Sequence, residues 1–138
     1  VTGFIDPTKE SFAAFRALDR EGPIHMLNLV RLRERASYPD GRVATGAEAY
    51  AAYARESEPV FSRLGGVIVW NGRFEFMLIG PAEERWDRCF IAQYPSLAAF
   101  VGMIRDPVYR GAVRHRQAAV EDSRLIRLAP GAVGRSFG

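Results

Sequence analysis

Apolar and polar positions along this chain change rhythm from element to element. Ile24–Leu32 (Ile-His-Met-Leu-Asn-Leu-Val-Arg-Leu) is the first strong apolar run, bracketed by Gly22-Pro23 and a charged loop. It reads as a buried strand with one polar residue, Asn28, at its middle. Ahead of it, Phe12, Phe15 and Leu18 recur three apart behind a Thr8 N-cap, the stripe of an amphipathic helix ending near Gly22. Arg33 to Thr45 reads as a polar loop turning at Tyr38-Pro39-Asp40-Gly41, long enough to be a mobile or functional segment. The helical period returns from about Gly46 to Leu64, with Tyr50, Tyr53, Ala54, Ser57, Phe61 and Leu64 on one face. Pro59 predicts a kink or a restart there.

Past Gly65-Gly66 the pattern turns strand-like again. Val67 to Trp70 and Phe74 to Ile79 are either two strands of a hairpin turning at Asn71-Gly72 or one long strand bent by a bulge. Arg88 to Tyr94 is the next strand, with Phe90, Ala92 and Tyr94 on one face and Cys89, Ile91 and Gln93 on the other. A helix capped by Ser96 follows, with Leu97, Phe100, Val101 and Ile104 inward. It restarts at Asp106-Pro107, burying Val108, Tyr109, Ala112 and Val113, and ends near Val120. Arg124 to Leu128 is the last strand, and Pro130 to Gly138 is a Pro/Gly-rich tail.

Without the first helix the order is that of a split βαβ unit: α+β, ferredoxin-like, with an antiparallel sheet and its helices on one face. The predicted organisation is an N-terminal helical extension (1–22), the ferredoxin-like domain (23–129) and a flexible tail (130–138). Met26, Asn28 and Val30 alternate with Leu27 and Leu29 on the first strand, so both faces of that strand call for cover. Two helices cover one face only. The expected cover for the other is a second copy of the chain, giving a homodimer with sheets packed face to face.

Composition narrows the function. With 138 residues, 48% hydrophobic and 25% charged, the chain is that of one ordinary globular domain. No apolar stretch is long enough to span a membrane and no signal-peptide pattern opens the chain, so the expected location is cytoplasmic, without a membrane partner. The net charge is +3, but the arginines are spread among Asp and Glu, the tightest group being Arg31, Arg33 and Arg35, and nucleic-acid binding is not expected. Cys89 stands alone in an apolar run and reads as a small buried hydrophobe. His25 and His115 share no ligand spacing with Cys or carboxylates, so neither a metal nor another cofactor is expected.

Several strings resemble a known family in combination. They are the Asn28-Leu29 of the first strand, Gly65-Gly66, Tyr94-Pro95-Ser96, Asp106-Pro107-Val108-Tyr109 and the run from His115 to Ile126. Together they resemble the domain of unknown function 1330 family of the dimeric α/β-barrel superfamily, over about Pro23 to Leu128. The resemblance implies a ferredoxin-like protomer whose sheet pairs into a barrel across a dimer, and a bend rather than a hairpin at Asn71-Gly72. Related branches include cofactor-independent monooxygenases, lactone isomerases and haem-handling proteins. The resemblance carries no catalytic residue over.

The candidate chemistry therefore comes from the residues. Asn28 and Gln93 are expected on one sheet face, facing the barrel interior, where an amide lines a ligand cavity or bonds its neighbour. His115 and Arg116 flank the buried stripe of the last helix. His115 is the candidate general acid or base and Arg116 the candidate holder of a carboxylate or enolate. The alternatives are a half-buried helix histidine and an ion pair of Arg116 with Glu121 or Asp122. Tyr50, Tyr53, Trp70 and Trp86 are candidate walls of an apolar site, or plain core. Two functions stay open: a cofactor-free enzyme of isomerase or monooxygenase type acting on an apolar oxygenated molecule, and a non-catalytic dimeric module binding a small metabolite.

Overall fold

In the computed structural model, which describes residues 3–137, the run Ile24–Leu32 forms the inner strand β1. Helix α1 (Lys9–Ala17) precedes it. Helix α2 (Gly46–Arg63), strand β2 (Val67–Gly72), strand β3 (Arg88–Tyr94), helices α3 (Leu97–Arg105) and α4 (Pro107–Ala119) and strand β4 (Val120–Leu128) follow. The sheet order is β2-β3-β1-β4 and every neighbouring pair is antiparallel. The chain is thus a ferredoxin-like split βαβ unit with α1 added in front.

Local chemistry accounts for the boundaries. Thr8 and Thr45 cap α1 and α2 in reciprocal capping boxes with Ser11 and Glu48. Helix α2 runs through Pro59 to Arg63, with no restart, and Gly65 follows with a φ of +85° that suits a residue without Cβ. Asp106 ends α3 and caps α4, accepting from the Val108 and Tyr109 amides, while Pro107 supplies a preset first helical residue. Strand β4 begins at Val120, directly on the end of α4 and four residues ahead of the expected Arg124.

One face of the sheet packs on the helices. Ile24, Met26 and Val30 are at most 3% exposed there, and each such burial is worth about 1.5–3 kcal/mol. The packing forms two clusters. Ile24, Met26, Ala92 and Tyr94 join Phe100 and Met103, and Val30 and Leu32 join Tyr50 and Val120. Asn28 stands on β1 where the two clusters part.

Three expectations fail in detail. Asn71 and Gly72 pair with Phe90 and Cys89, so they lie within β2 and turn no hairpin. The bulge falls at Val69, and Phe74–Ile79 forms no strand. The connection to β3 is too long for an Asn-Gly turn to close it. Leu18 lies beyond the last turn of α1 and is 61% exposed. Val108, on the first turn of α4, is 57% exposed. Helical spacing placed both inward, but each sits at a helix end that overhangs its support.

The loop at 33–45 is anchored. The Arg33 and Ser37 amides donate to the carbonyls of Ala119 and Ala118, and Ala36 bonds to Ala44.

Candidate binding cavity

Where the two core clusters part, a cleft of about 940 Å³ opens between the sheet and helices α2 and α4. Its floor is the helix-facing side of the strands, with Met26, Asn28, Phe90 and Ala92. The walls carry Tyr50, Tyr53, Phe61 and Tyr109, and the N-terminal segment covers it with Ile5, Phe12 and Phe15. Such a volume, mostly apolar with a few converging polar groups, is that of a small-molecule pocket.

The tyrosines form one network. The hydroxyls of Tyr53 and Tyr109 lie 2.9 Å apart, and the rings of Tyr50 and Tyr53 are 5.4 Å centre to centre. Burial pushes the phenols of Tyr50, Tyr53, Tyr94 and Tyr109 above the ordinary tyrosine value, which keeps them neutral donors. The Tyr50 hydroxyl has no hydrogen-bond partner among the described residues. The Asn28 side-chain nitrogen donates to the Met26 carbonyl at 3.0 Å, leaving the Asn28 carbonyl oxygen without one.

Arg116 enters from α4 and is 9% exposed. It donates to the Ile5 carbonyl and to Ser123 Oγ, the latter at 3.2 Å. The expected ion pair with Glu121 or Asp122 is absent among the described residues: Arg31 approaches Glu121, and Arg124 holds Asp122. Those acids point from β4 toward arginines of the sheet and leave Arg116 to neutral acceptors.

The structure brings Asn28, Tyr50, Tyr53 and Arg116 to one cavity and separates the other candidates from it. Asn28 faces the helices and not the open side of the sheet where a barrel would close, and Gln93 is not on its face. The antiparallel register sets Asn28 opposite Phe90 and His25 opposite Gln93, and residues directly opposed share a face. Gln93 Oε1 lies 2.8 Å from His25 Nε2 on the open side of the sheet. Trp70 pairs with Ile91 and lies on that open side too, displaced by the bulge at Val69. Trp86 is buried beneath Arg124, away from the cavity.

His115 is buried but does not reach the cavity. Its Nδ1 lies 2.6 Å from the Tyr38 hydroxyl and its Nε2 3.0 Å from a Glu56 oxygen. Both ring nitrogens are engaged, so His115 ties the loop at 33–45 to α2 and shares no space with Asn28. That loop does not line the cavity. The N-terminal segment does, and the sequence signal for it was the row of Phe4, Ile5, Phe12 and Phe15 outside the split βαβ unit. Met103, Phe90 and Ser123 also line it and were not among the expected site residues.

An antiparallel ferredoxin-like sheet with a tyrosine-walled, ligand-sized cleft under its helices defines an α+β protein with room for a small molecule. The chain belongs to the family described as a domain of unknown function, DUF1330, whose model matches residues 43–128. It is 75% identical to RPA0582, a protein of unknown function from Rhodopseudomonas palustris, over 96% of this chain and 100% of that one, with a TM-score of 0.93. A methylated form of RPA0582 superposes with a TM-score of 0.96 over 98% and 100% of the two chains, at the same identity. SnoaB, a cofactor-independent oxygenase from Streptomyces nogalater, shares the fold at 15% identity and a TM-score of 0.53, over 81% of this chain and 96% of that one. No curated protein matches the chain. None of the described helices is long and apolar enough to cross a membrane.

Proposed function

We propose that the protein binds an apolar, oxygenated small molecule in the cavity between its sheet and helices, and that it works as a homodimer closed over the open sheet face. The observation that carries this reading is the cavity itself. It is large, walled by aromatic rings, and holds polar atoms of Asn28, Tyr50 and Arg116 that the protein leaves wholly or partly unpartnered. Packed interiors rarely keep a space of this size, and a cleft lined by rings with a few free polar atoms suits a ligand. The lone thiol Cys89 supports a reducing, cytoplasmic setting.

A second reading, turnover without a cofactor, is favoured by the way those polar atoms converge. Arg116 and the neutral Tyr50 hydroxyl are suited to stabilise an enolate while Asn28 orients a substrate carbonyl. The proton acceptor would be water or the substrate's own oxygen, since the imidazole of His115 is engaged elsewhere.

Binding of neutral N-phenyl-1-naphthylamine, followed by its fluorescence, tests the cavity. The full chain is expected to bind it saturably. Ala54→Trp, an exposed helix position on the cavity wall, is expected to weaken binding about tenfold or more by filling the space. Equal affinity in the two proteins would place the ligand elsewhere and overturn the reading.

A further inference from the structure

The charge of the cavity says more about its ligand than its shape does. Four arginines line it (Arg88, Arg110, Arg116 and Arg127) against two carboxylates, Asp6 and Glu58, both on exposed residues. Each carboxylate already accepts a hydrogen bond, Asp6 from Gln117 and Glu58 from Ser62. Arg127 lies over the Phe15 ring and donates to the Phe15 carbonyl. Arg116 alone of the four is buried, and it meets only a backbone carbonyl and a hydroxyl. No carboxylate lies within 4.0 Å of it among the described residues.

A guanidinium withdrawn from water and left without a counter-charge is costly, and proteins ordinarily pair it. Its planar fork matches a carboxylate through two parallel N–H···O bonds. The neutral phenols beside it add donors. Flat rings line the cleft: Phe12, Phe61, Phe90 and Tyr53. Resting on the binding reading above, we infer that the ligand is an aromatic monocarboxylate, its ring among those side chains and its carboxylate on Arg116 beside Ile5.

Calorimetric titration with 2-naphthoate and its uncharged counterpart 2-naphthalenemethanol tests this, using the full chain, Arg116→Met, Arg116→Lys and the surface control Arg114→Gln. The wild-type protein is expected to prefer the carboxylate by about tenfold or more. Arg114→Gln should keep that preference. Arg116→Met should bind the two compounds equally, with affinity for the alcohol retained. Should Arg116→Met fail to fold, Arg116→Lys carries the comparison: a point charge without the fork should lose much of the preference. Equal wild-type affinities, or a preference undiminished in Arg116→Lys and Arg116→Met, would overturn the carboxylate while leaving the cavity standing. Failure of the wild type to bind either compound would overturn the binding reading itself.

Discussion

His115 shows how a residue with catalytic chemistry is used to hold structure. Its imidazole stands between the Tyr38 hydroxyl and the Glu56 carboxylate, with the Tyr38 ring edge-on at 5.7 Å. Removing the ring leaves the hydroxyl of half-buried Tyr38 unpartnered and a void behind it. His115→Ala is therefore expected to lower the unfolding free energy by about 2 kcal/mol, read from urea denaturation. Affinity for a cavity probe should stay within about twofold, because the ring does not line the cavity. Lost binding at unchanged stability would return His115 to the site. Asn28, Tyr50, Tyr53 and Arg116 were legible as candidates because their types are unusual for their positions. The places of Gln93 and Trp70 were not. Each depends on which residue of a neighbouring strand stands opposite, and one bulge or one register step reverses the face.

At the level of elements, the N-terminal segment closes the cavity from the edge of the core, with Phe12, Phe15 and Ile5 packed against it. No residue of α1 is fully buried, and polar contacts tether the segment as well. The Phe4 amide donates to Asp122 Oδ1 at 2.9 Å, Ser123 Oγ donates to the Phe4 carbonyl at 2.6 Å, and Arg116 holds Ile5. Partial burial pushes the Asp122 carboxyl up. The Phe4 and Ser123 amides and the Arg124 guanidinium outweigh that and hold it below its ordinary value. A lowered folded value means that the tether is complete above the ordinary carboxylate value near pH 4 and is lost as pH falls through the lowered one. The Phe4 amide resonance is expected to shift across that acid window while β1 amides stay fixed. Asp122→Asn should abolish the shift. A Phe4 titration that persists in Asp122→Asn would show that another group holds the segment.

For the whole molecule, the open sheet face sets the terms. Val67, Trp70, Ile126 and Leu128 are 40–51% exposed on it, with Leu27, Leu29 and Ile91 half-buried between them. Beside it the stretch after β2 projects Phe76, Leu78 and Ile79, at 79–91% exposure. A contiguous apolar surface of this kind is costly in water and marks an interface. The proposed homodimer covers it with a second copy. Light scattering after size exclusion is expected to give twice the chain mass at micromolar concentration. Trp70→Glu with Ile126→Glu should give the monomer mass with the secondary structure retained. A monomeric wild type would overturn the proposed dimer.

What the sequence determined by itself was the order and type of the elements. Alternation in Ile24–Leu32 and Arg88–Tyr94, the three-apart phenylalanines and the Asp106-Pro107 restart are local signals, and local sterics and capping enforce them. Its two-faced first strand likewise demanded cover on both sides. The tertiary structure decided what those elements bring together. It set Asn28 against Phe90 rather than Gln93, turned Trp70 to the open face, and drew the N-terminal segment over the cleft in place of the loop at 33–45. It also tied His115 to Tyr38 across 77 residues of chain. The physical reason is the same in each case. Side-chain direction follows local periodicity, but the partner it meets is fixed by strand register and by packing between distant segments, which no local pattern encodes.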